Sequence, residues 1–228
     1  MDKNYLNSIY PDIEFAEEHY RIYEDFVPDL MHRDDLTVYH PNEYTGQSVI
    51  RLVCSQHPII TEFCAFSDEE LKEINRLQHR YTDEWIRFLN TEKLHVKEVD
   101  VCSAVNQKVF DALCKQDSIE SLRIKWLKCK QLDEISKLKN LKKLFLERAS
   151  SLTDISPVSL LENLEVLILC ETTKITDYSS LANLKKLKAL GICCARASYS
   201  TAIKVNDIDF IKKMPSLEYV DFSDVKIV

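Results

Sequence analysis

The sequence predicts an α/β solenoid, a stack of repeats in which parallel strands alternate with short helical or 3₁₀ returns. Its main support is a strand signature with apolar residues at its first, fourth and sixth positions. The signature begins at Val96, Ile119, Leu141, Leu164, Leu187 and Leu217. The starts are separated by 23, 22, 23, 23 and 30 residues, and self-similarity at such a period indicates a repeat architecture.

A second pattern lies between the signatures, with apolar residues nine, six and three positions before a strand start. These residues are Leu132, Ile135, Leu138; Ile155, Val158, Leu161; Tyr178, Leu181, Leu184; and Ile208, Ile211, Met214. Residues three apart share one face of a 3₁₀ turn, so each unit is predicted to be a strand, a bend and a helical return. Neither half buries its apolar face alone, so stacked neighbours and capped ends are required.

The segments that join strand and return are also similar from repeat to repeat. They are Leu152-Thr153-Asp154-Ile155, Ile175-Thr176-Asp177-Tyr178, Asn163-Leu164 and Asn183-Leu184-Lys185-Lys186-Leu187. Together with the Leu-x-x-Leu-x-Leu strand, they resemble the leucine-rich repeats of bacterial internalin-like proteins. The resemblance covers roughly residues 94–228, is weaker at both edges, where Gln116 interrupts the apolar column, and implies a protein-binding scaffold.

One departure from the family pattern concerns the bend after the strand. The family usually places an Asn there, whereas this chain has Arg148-Ala149-Ser150 and Glu171-Thr172-Thr173. We expect Ser and Thr hydroxyls to bond the bend less completely, which predicts a less regular spine.

The first part of the chain has a different composition. Residues 1–95 hold 19 acidic and 9 basic side chains, a net charge of −10, and the remainder carries +3 of the total of −7. We predict an acidic N-terminal cap or small α+β region over residues 1–93, followed by the repeat domain over 94–228 with about six strands.

Within that acidic region, Ser67 and Glu70 form a predicted capping box at the start of an amphipathic helix that runs to about residue 90. The helix ends just before the first repeat, so it is expected to cover the open apolar end of the solenoid. A second helix is predicted from Asp12 to Val27. Strands are predicted at Thr37–Tyr39 and Ser48–Val53.

Composition narrows the class of protein. The chain has two glycines among 228 residues, too few for the glycine-rich loops that hold phosphates. The start of the chain lacks an apolar signal segment, and no 18-residue apolar run occurs, so we expect a cytoplasmic protein with no membrane contact. A net charge of −7 disfavours a nucleic-acid partner, and no cofactor is expected. The lysine-rich pieces within 125–130, 137–143 and 185–188 are expected to form a solvated face, with an acidic protein partner as the alternative.

The eight cysteines show neither a CxxC pair nor zinc spacing, so we expect them to be reduced. Cys102, Cys170 and Cys193 directly follow the strand signature in three repeats and are predicted to line one column of the sheet. Small packed residues are the expected role, with reactive or metal-binding thiols as the alternative.

Catalysis has little support in the sequence. The six histidines are scattered, and no nucleophile motif occurs. The nearest constellation is His32, Asp34 and His40, which would serve a small metal-dependent or enzymatic module in residues 1–93, with the repeats as its recruiting arm. A further alternative, an immunity or inhibitor protein for a toxin, rests on analogy between folds.

The concave face of the sheet is the expected binding surface, because side chains alternate along a strand and positions three, five and seven face outward. The middle of this face is apolar and its flanks are charged, as in a protein-binding patch. The predicted partner-binding residues are Arg123, Lys125, Phe145, Arg148, Val166, Ile168 and Cys170. The alternative is that the same chain covers the patch, with the insertion within Cys193–Asp207 as the expected cover.

Overall fold

The computed structural model describes residues 3–16, 26, 33–55, 67–193, 202–223 and 225–228. Its strands are β1 (Glu14–Phe15), β2 (Thr37–Val38), β3 (Val49–Leu52), β4 (Glu98–Val105), β5 (Ser121–Leu127), β6 (Lys143–Leu146), β7 (Val166–Cys170), β8 (Ala189–Cys193), β9 (Ile203–Val205), β10 (Tyr219–Asp221) and β11 (Val225–Ile227). The α-helices bounded within these residues are α1 (Lys3–Ile9), α2 (Asp68–Thr91) and α3 (Gln107–Leu113). Short 3₁₀ helices lie at Asp34–Leu36, Pro41–Glu43, Asp133–Lys137, Ser156–Leu160, Ser179–Asn183 and Asp209–Lys213.

Nine of the described strands form one sheet, in the order β1-β10-β8-β7-β6-β5-β4-β3-β2. Each recorded pairing in this sheet is parallel. Strands β9 and β11 form a separate parallel pair beside it. A parallel sheet whose strands return through short 3₁₀ helices is the predicted α/β repeat solenoid, and that fold class is confirmed.

The predicted register is also confirmed. Leu144, Leu167 and Leu190 are aligned across β6, β7 and β8, and all three side chains are fully buried. The apolar residues of the returns, from Leu132 to Met214, are buried in the same core. The returns therefore complete the core that one face of the sheet begins, as in other stacked repeats.

The bends after β6 and β7 use left-handed backbone. Arg148 has φ 48° and Glu171 has φ 60°, in the region that favours glycine or asparagine. The Thr172 hydroxyl does not bond the bend backbone as expected. It lies 2.7 Å from the Tyr178 hydroxyl, inside the core, so this threonine joins the bend to the following return.

The amino-terminal end of the solenoid is covered by α2. Its predicted capping box is present, with the Glu70 backbone N–H donating to Ser67 Oγ and the Ser67 backbone N–H donating to Glu70 Oε2 at 2.9 Å. Only the second half of the helix is deeply packed: Trp85 and Leu89 are buried, whereas Leu71 and Ile74 are half-buried.

Gln116, which interrupts the apolar column, ties the end of α2 to the sheet. Its side-chain amide donates to the carbonyls of Leu89 and Glu92, and its carbonyl accepts from the Leu94 backbone N–H at 2.8 Å. A polar side chain is accommodated at this buried position because these partners satisfy it.

The carboxyl-terminal end is closed by the first residues of the chain, which the sequence assigned to the opposite end. Strand β1 pairs with β10, so the helix predicted from Asp12 to Val27 is wrong at its start, and most of its remaining residues lie outside the described part. Leu6, Tyr10 and Phe15 are buried in the main core there.

The strands predicted at Thr37–Tyr39 and Ser48–Val53 are found as β2 and β3, and they belong to the repeat sheet itself. The sheet is therefore continuous across the predicted boundary at residue 93. The division into two domains stays a prediction.

Candidate partner-binding face

The concave side of the sheet carries an apolar cluster of its own, separate from the main core. We call it the concave apolar cluster; it consists of Phe145, Val166, Ile168, Cys170, Ala189, Cys193 and Tyr219. These residues occupy positions three, five and seven of their repeats. The alternation of side chains along each strand places them opposite the core, as the sequence predicted.

The concave apolar cluster is covered. Phe145 and Ile168 are fully buried, and Val166 is only 5% exposed. Among the described residues, Ala16 and Phe26 pack against it, with the Phe26 ring 5.7 Å from that of Tyr219. In this structure the same chain covers the patch, which was the alternative, and binding of a partner to this face stays a prediction.

The expected cover and the observed one differ. The sequence assigned the cover to the insertion within Cys193–Asp207, and residues 194–201 of that insertion lie outside the described part. The contacts observed come instead from Ala16, directly after β1, and from Phe26, further along the amino-terminal part of the chain. Because Ala16 directly follows β1, the pairing of β1 with β10 brings it to this face, where its backbone N–H donates to Val220 at 2.9 Å.

A row of charged side chains occupies the other half of the concave face. This charged ladder consists of Arg51 on β3, Asp100 on β4, Arg123 on β5 and Glu147 after β6. Arg123 Nε donates to Glu147 at 2.6 Å, and the guanidinium groups of Arg51 and Arg123 lie 3.7 and 4.0 Å from the Asp100 carboxylate. Opposite charges alternate from strand to strand, which compensates their burial in part.

Asp100 is the most buried member of the charged ladder, with its side chain 1% exposed. Neither carboxylate oxygen accepts a hydrogen bond from the described residues. Burial of the neighbouring Lys125 ammonium lowers its pKa, an effect opposed by the Asp100 charge. The pKa of the Cys102 thiol is raised, first by burial and then by the same carboxylate.

The exposed edge of this half is formed by Arg148. Its guanidinium lies 5.9 Å from the centre of the Trp126 ring, within the range of a cation–π contact. Trp126 itself is 7% exposed, so the arginine is the accessible partner. Arginine and tryptophan are both enriched among the residues that dominate binding at protein interfaces.

The seven predicted binding residues thus fall into two groups. Phe145, Val166, Ile168 and Cys170 lie in the covered concave apolar cluster, whereas Arg123, Lys125 and Arg148 lie in or beside the charged ladder. The prediction missed Arg51, because its strand was read as part of a separate region. Reading β3 as one more strand of the same sheet would have found it.

The lysine-rich pieces lie largely in solvent. Lys142 pairs with Glu120 at 2.6 Å and Lys188 with Glu165 at 2.8 Å, which lowers the pKa of both carboxyl groups. A polar depression of about 350 Å³ lies here, lined by Glu120, Asn140, Lys142, Asn163, Glu165 and Lys186. Exposed pairs of this kind contribute little to stability, consistent with a solvated face.

The alternative enzymatic or metal module is not assembled by the described residues. His40 Nε2 lies 2.5 Å from Glu84, and Asp35 pairs with Arg33. His32 and the side chain of Asp34 lie outside what the structure describes. Within the described ranges, no group of three or more His, Cys, Asp or Glu side chains is arranged to hold a metal ion.

No protein-family model matches this chain, and no curated protein shows significant sequence similarity. The solved structures that resemble it include internalin C2 from Listeria monocytogenes, at 23% identity and a TM-score of 0.42 over 64% of this chain and 67% of that one. The strand register and the 3₁₀ returns decide the fold. It is a leucine-rich repeat solenoid.

Two further structures are less similar to this chain. Internalin F from Listeria monocytogenes has 17% identity and a TM-score of 0.30, over 59% of this chain and 49% of that one. The Arabidopsis receptor kinase HAESA, solved with the peptide hormone IDA and the co-receptor SERK1, has 12% identity and a TM-score of 0.33. That match covers 58% of this chain and 30% of the kinase chain.

No helix in the described part of this chain is long and apolar enough to cross a membrane.

Proposed function

We propose that this protein is a protein–protein interaction scaffold whose partner binds the concave face of the repeats. The observation that carries the proposal is the concave apolar cluster. Its residues lie on the concave side of the sheet and are separate from the main core on the other side. Extended concave surfaces are what repeat proteins use for binding, and this cluster lies on such a surface.

The partner is proposed to contact first the half of the concave face that carries the charged ladder. Arg148 is exposed and Lys125 is half-buried, so both are accessible at the edge of the concave face. Exposed charges of this kind steer encounter, and a partner with an acidic surface would pair with them. The charged ladder would then fix the orientation of the complex.

Full engagement is proposed to displace Phe26 from the concave apolar cluster. Phe26 is itself only half-buried, and it contacts the edge of the cluster through Tyr219. A partner side chain that replaced the phenylalanine would bury the same apolar surface at a modest net cost. Phe145, Val166, Ile168 and Cys170 are the residues that this exchange would make available.

The first test is parallel capture from a lysate on immobilised wild type and on two variants, Arg148→Glu and Lys72→Glu. Lys72 lies exposed on α2, the helix that covers the amino-terminal end of the solenoid, and serves as the matched control. A protein retained by wild type and by Lys72→Glu, and lost from Arg148→Glu, supports the proposal. Equal retention by all three contradicts it.

The second test measures binding of that captured protein by calorimetry. Phe26→Ala is expected to tighten binding several-fold, because the internal competitor is weakened, while Ile168→Asp is expected to abolish it. Circular dichroism melts establish that both variants are folded. Weaker binding by Phe26→Ala would contradict displacement of this residue.

A further inference from the structure

Two cysteines of the concave apolar cluster lie side by side on neighbouring strands. Cys170 ends β7 and Cys193 ends β8, and the two residues are aligned in the parallel register. Neighbouring strands are about 4.8 Å apart, which falls within the Cα separation that a disulfide spans. Both side chains point to the same face, so no change of backbone register is needed to join them.

The two sulfur atoms are 3.0 Å apart in the dithiol form. A disulfide bond is about 2.05 Å long, so bond formation requires a movement of roughly 1 Å, which side-chain rotation supplies. The third member of the predicted cysteine column, Cys102, is placed differently: it lies on β4, and its thiol contacts the Leu52 carbonyl at 3.7 Å. Proximity therefore selects this pair from the predicted cysteine column.

We propose that Cys170 and Cys193 form a reversible dithiol–disulfide pair within the concave face. With a peroxide as oxidant, the thiolate of one cysteine attacks a peroxide oxygen, the O–O bond breaks, and a sulfenic acid and water form. The second thiol then attacks the sulfenic sulfur, the S–O bond breaks, and a second water leaves. One peroxide is reduced for each disulfide formed, and a dithiol reductant reverses the change.

The bond would close a loop that spans one repeat, because the cysteines are 23 residues apart in sequence. Cross-linking one strand to the next restricts the unfolded chain, so the oxidised protein is expected to melt roughly 5–10 °C higher than the reduced one. Since both thiols are about 1% exposed, small oxidants are expected to react during local opening rather than at once.

The test treats the folded, full-length chain with hydrogen peroxide at a slight molar excess, blocks remaining thiols under denaturing conditions and maps cross-linked peptides by mass spectrometry. The proposal expects the Cys170–Cys193 cross-link, lighter than the two thiol peptides by two hydrogens, as the main product. It also expects a higher melting temperature that dithiothreitol reverses.

The adjacent residue Cys194 supplies the matched control. Cys194→Ser is expected to keep both the cross-link and the melting shift, whereas Cys170→Ser and Cys170→Ala are expected to lose the cross-link and to melt at the same temperature before and after peroxide treatment. No disulfide in the folded protein, or a mixture of pairings without preference for Cys170 and Cys193, would overturn the proposal.

Discussion

The two ends of the solenoid are closed in different ways. At the amino-terminal end, α2 directly precedes the first repeat and packs Trp85 and Leu89 against it. At the carboxyl-terminal end, the closing elements α1 and β1 come from the start of the chain, and Tyr10 bonds Asp209 across 199 residues. One cap is local in sequence, and the other joins the two ends of the chain.

This difference separates the protein from a simple repeat array. In such an array each repeat contacts only its neighbours, and stability is roughly a sum of local terms. Pairing of β1 with β10 adds contacts that exist only when the whole solenoid is formed. We therefore expect the carboxyl-terminal cap to make unfolding more cooperative than the repeats alone would.

The largest effect should follow from deleting residues 1–16. This removes β1 and three buried side chains, Leu6, Tyr10 and Phe15. Truncating one buried side chain of this size typically lowers the free energy of unfolding by about 2–5 kcal/mol. The sum of the three losses is comparable to the total stability of a typical domain, about 5–15 kcal/mol. The shortened chain should aggregate or lose its cooperative denaturant transition; a monomer with an unchanged midpoint would show that the long-range cap is dispensable.

A smaller effect is expected from a single truncation at the local cap. Trp85→Ala should destabilise the protein by about 3–5 kcal/mol, because the ring is fully buried. Tyr81, one turn earlier on α2 and 38% exposed, is the matched control, and Tyr81→Ala should cost about 0.5 kcal/mol or less. Urea melts compare the two, and similar losses would mean that α2 is packed differently.

The smallest effect concerns the polar contact at the long-range cap. The pKa of Asp209 is lowered, first by its hydrogen bond from Lys212 and then by the one from Tyr10. A lowered carboxyl pKa stabilises the fold above the unfolded value, about 3.9, and that stabilisation is lost as the pH falls through the folded value. The melting temperature of Tyr10→Phe should therefore lie below that of wild type at neutral pH, with a gap that narrows below about pH 4.

The control for this pH series is Tyr39→Phe, because Tyr39 is 57% exposed. That variant should melt with wild type at every pH. If the difference in melting temperature between wild type and Tyr10→Phe stayed constant down to pH 2, the hydroxyl would act through packing alone.

The local cap and the repeats were predictable, and the long-range cap was not, for one physical reason. The apolar column from Leu132 to Met214 and the helix after Ser67 are predicted by the periodicity of apolar residues within a short stretch of sequence. Strand β1 has two residues, Glu14 and Phe15, and its partner lies about 200 residues away. Its flanking apolar residues also fit a helical period, so local pattern favoured the wrong element.

In the candidate site, too, some features could be predicted from local sequence and others could not. Which side of the sheet Phe145 and Ile168 face follows from alternation along a strand, and it was predicted correctly. Whether they are accessible depends on Ala16 and Phe26, which are distant in sequence. Exposure is thus set by tertiary contacts that no repeat pattern encodes, and the same holds for the alignment of Arg51 with Asp100.

Pairing of β1 with β10 also bears on the order of events during synthesis. Strand β1 leaves the ribosome about 200 residues before its partner β10, which is roughly 10–40 s at ordinary elongation rates. Throughout that interval Phe15 and Leu6 lack the surface that buries them in the finished protein. A β10 strand on a neighbouring nascent chain offers the same edge, so this closure is the point at which two copies would exchange segments and form a domain-swapped dimer.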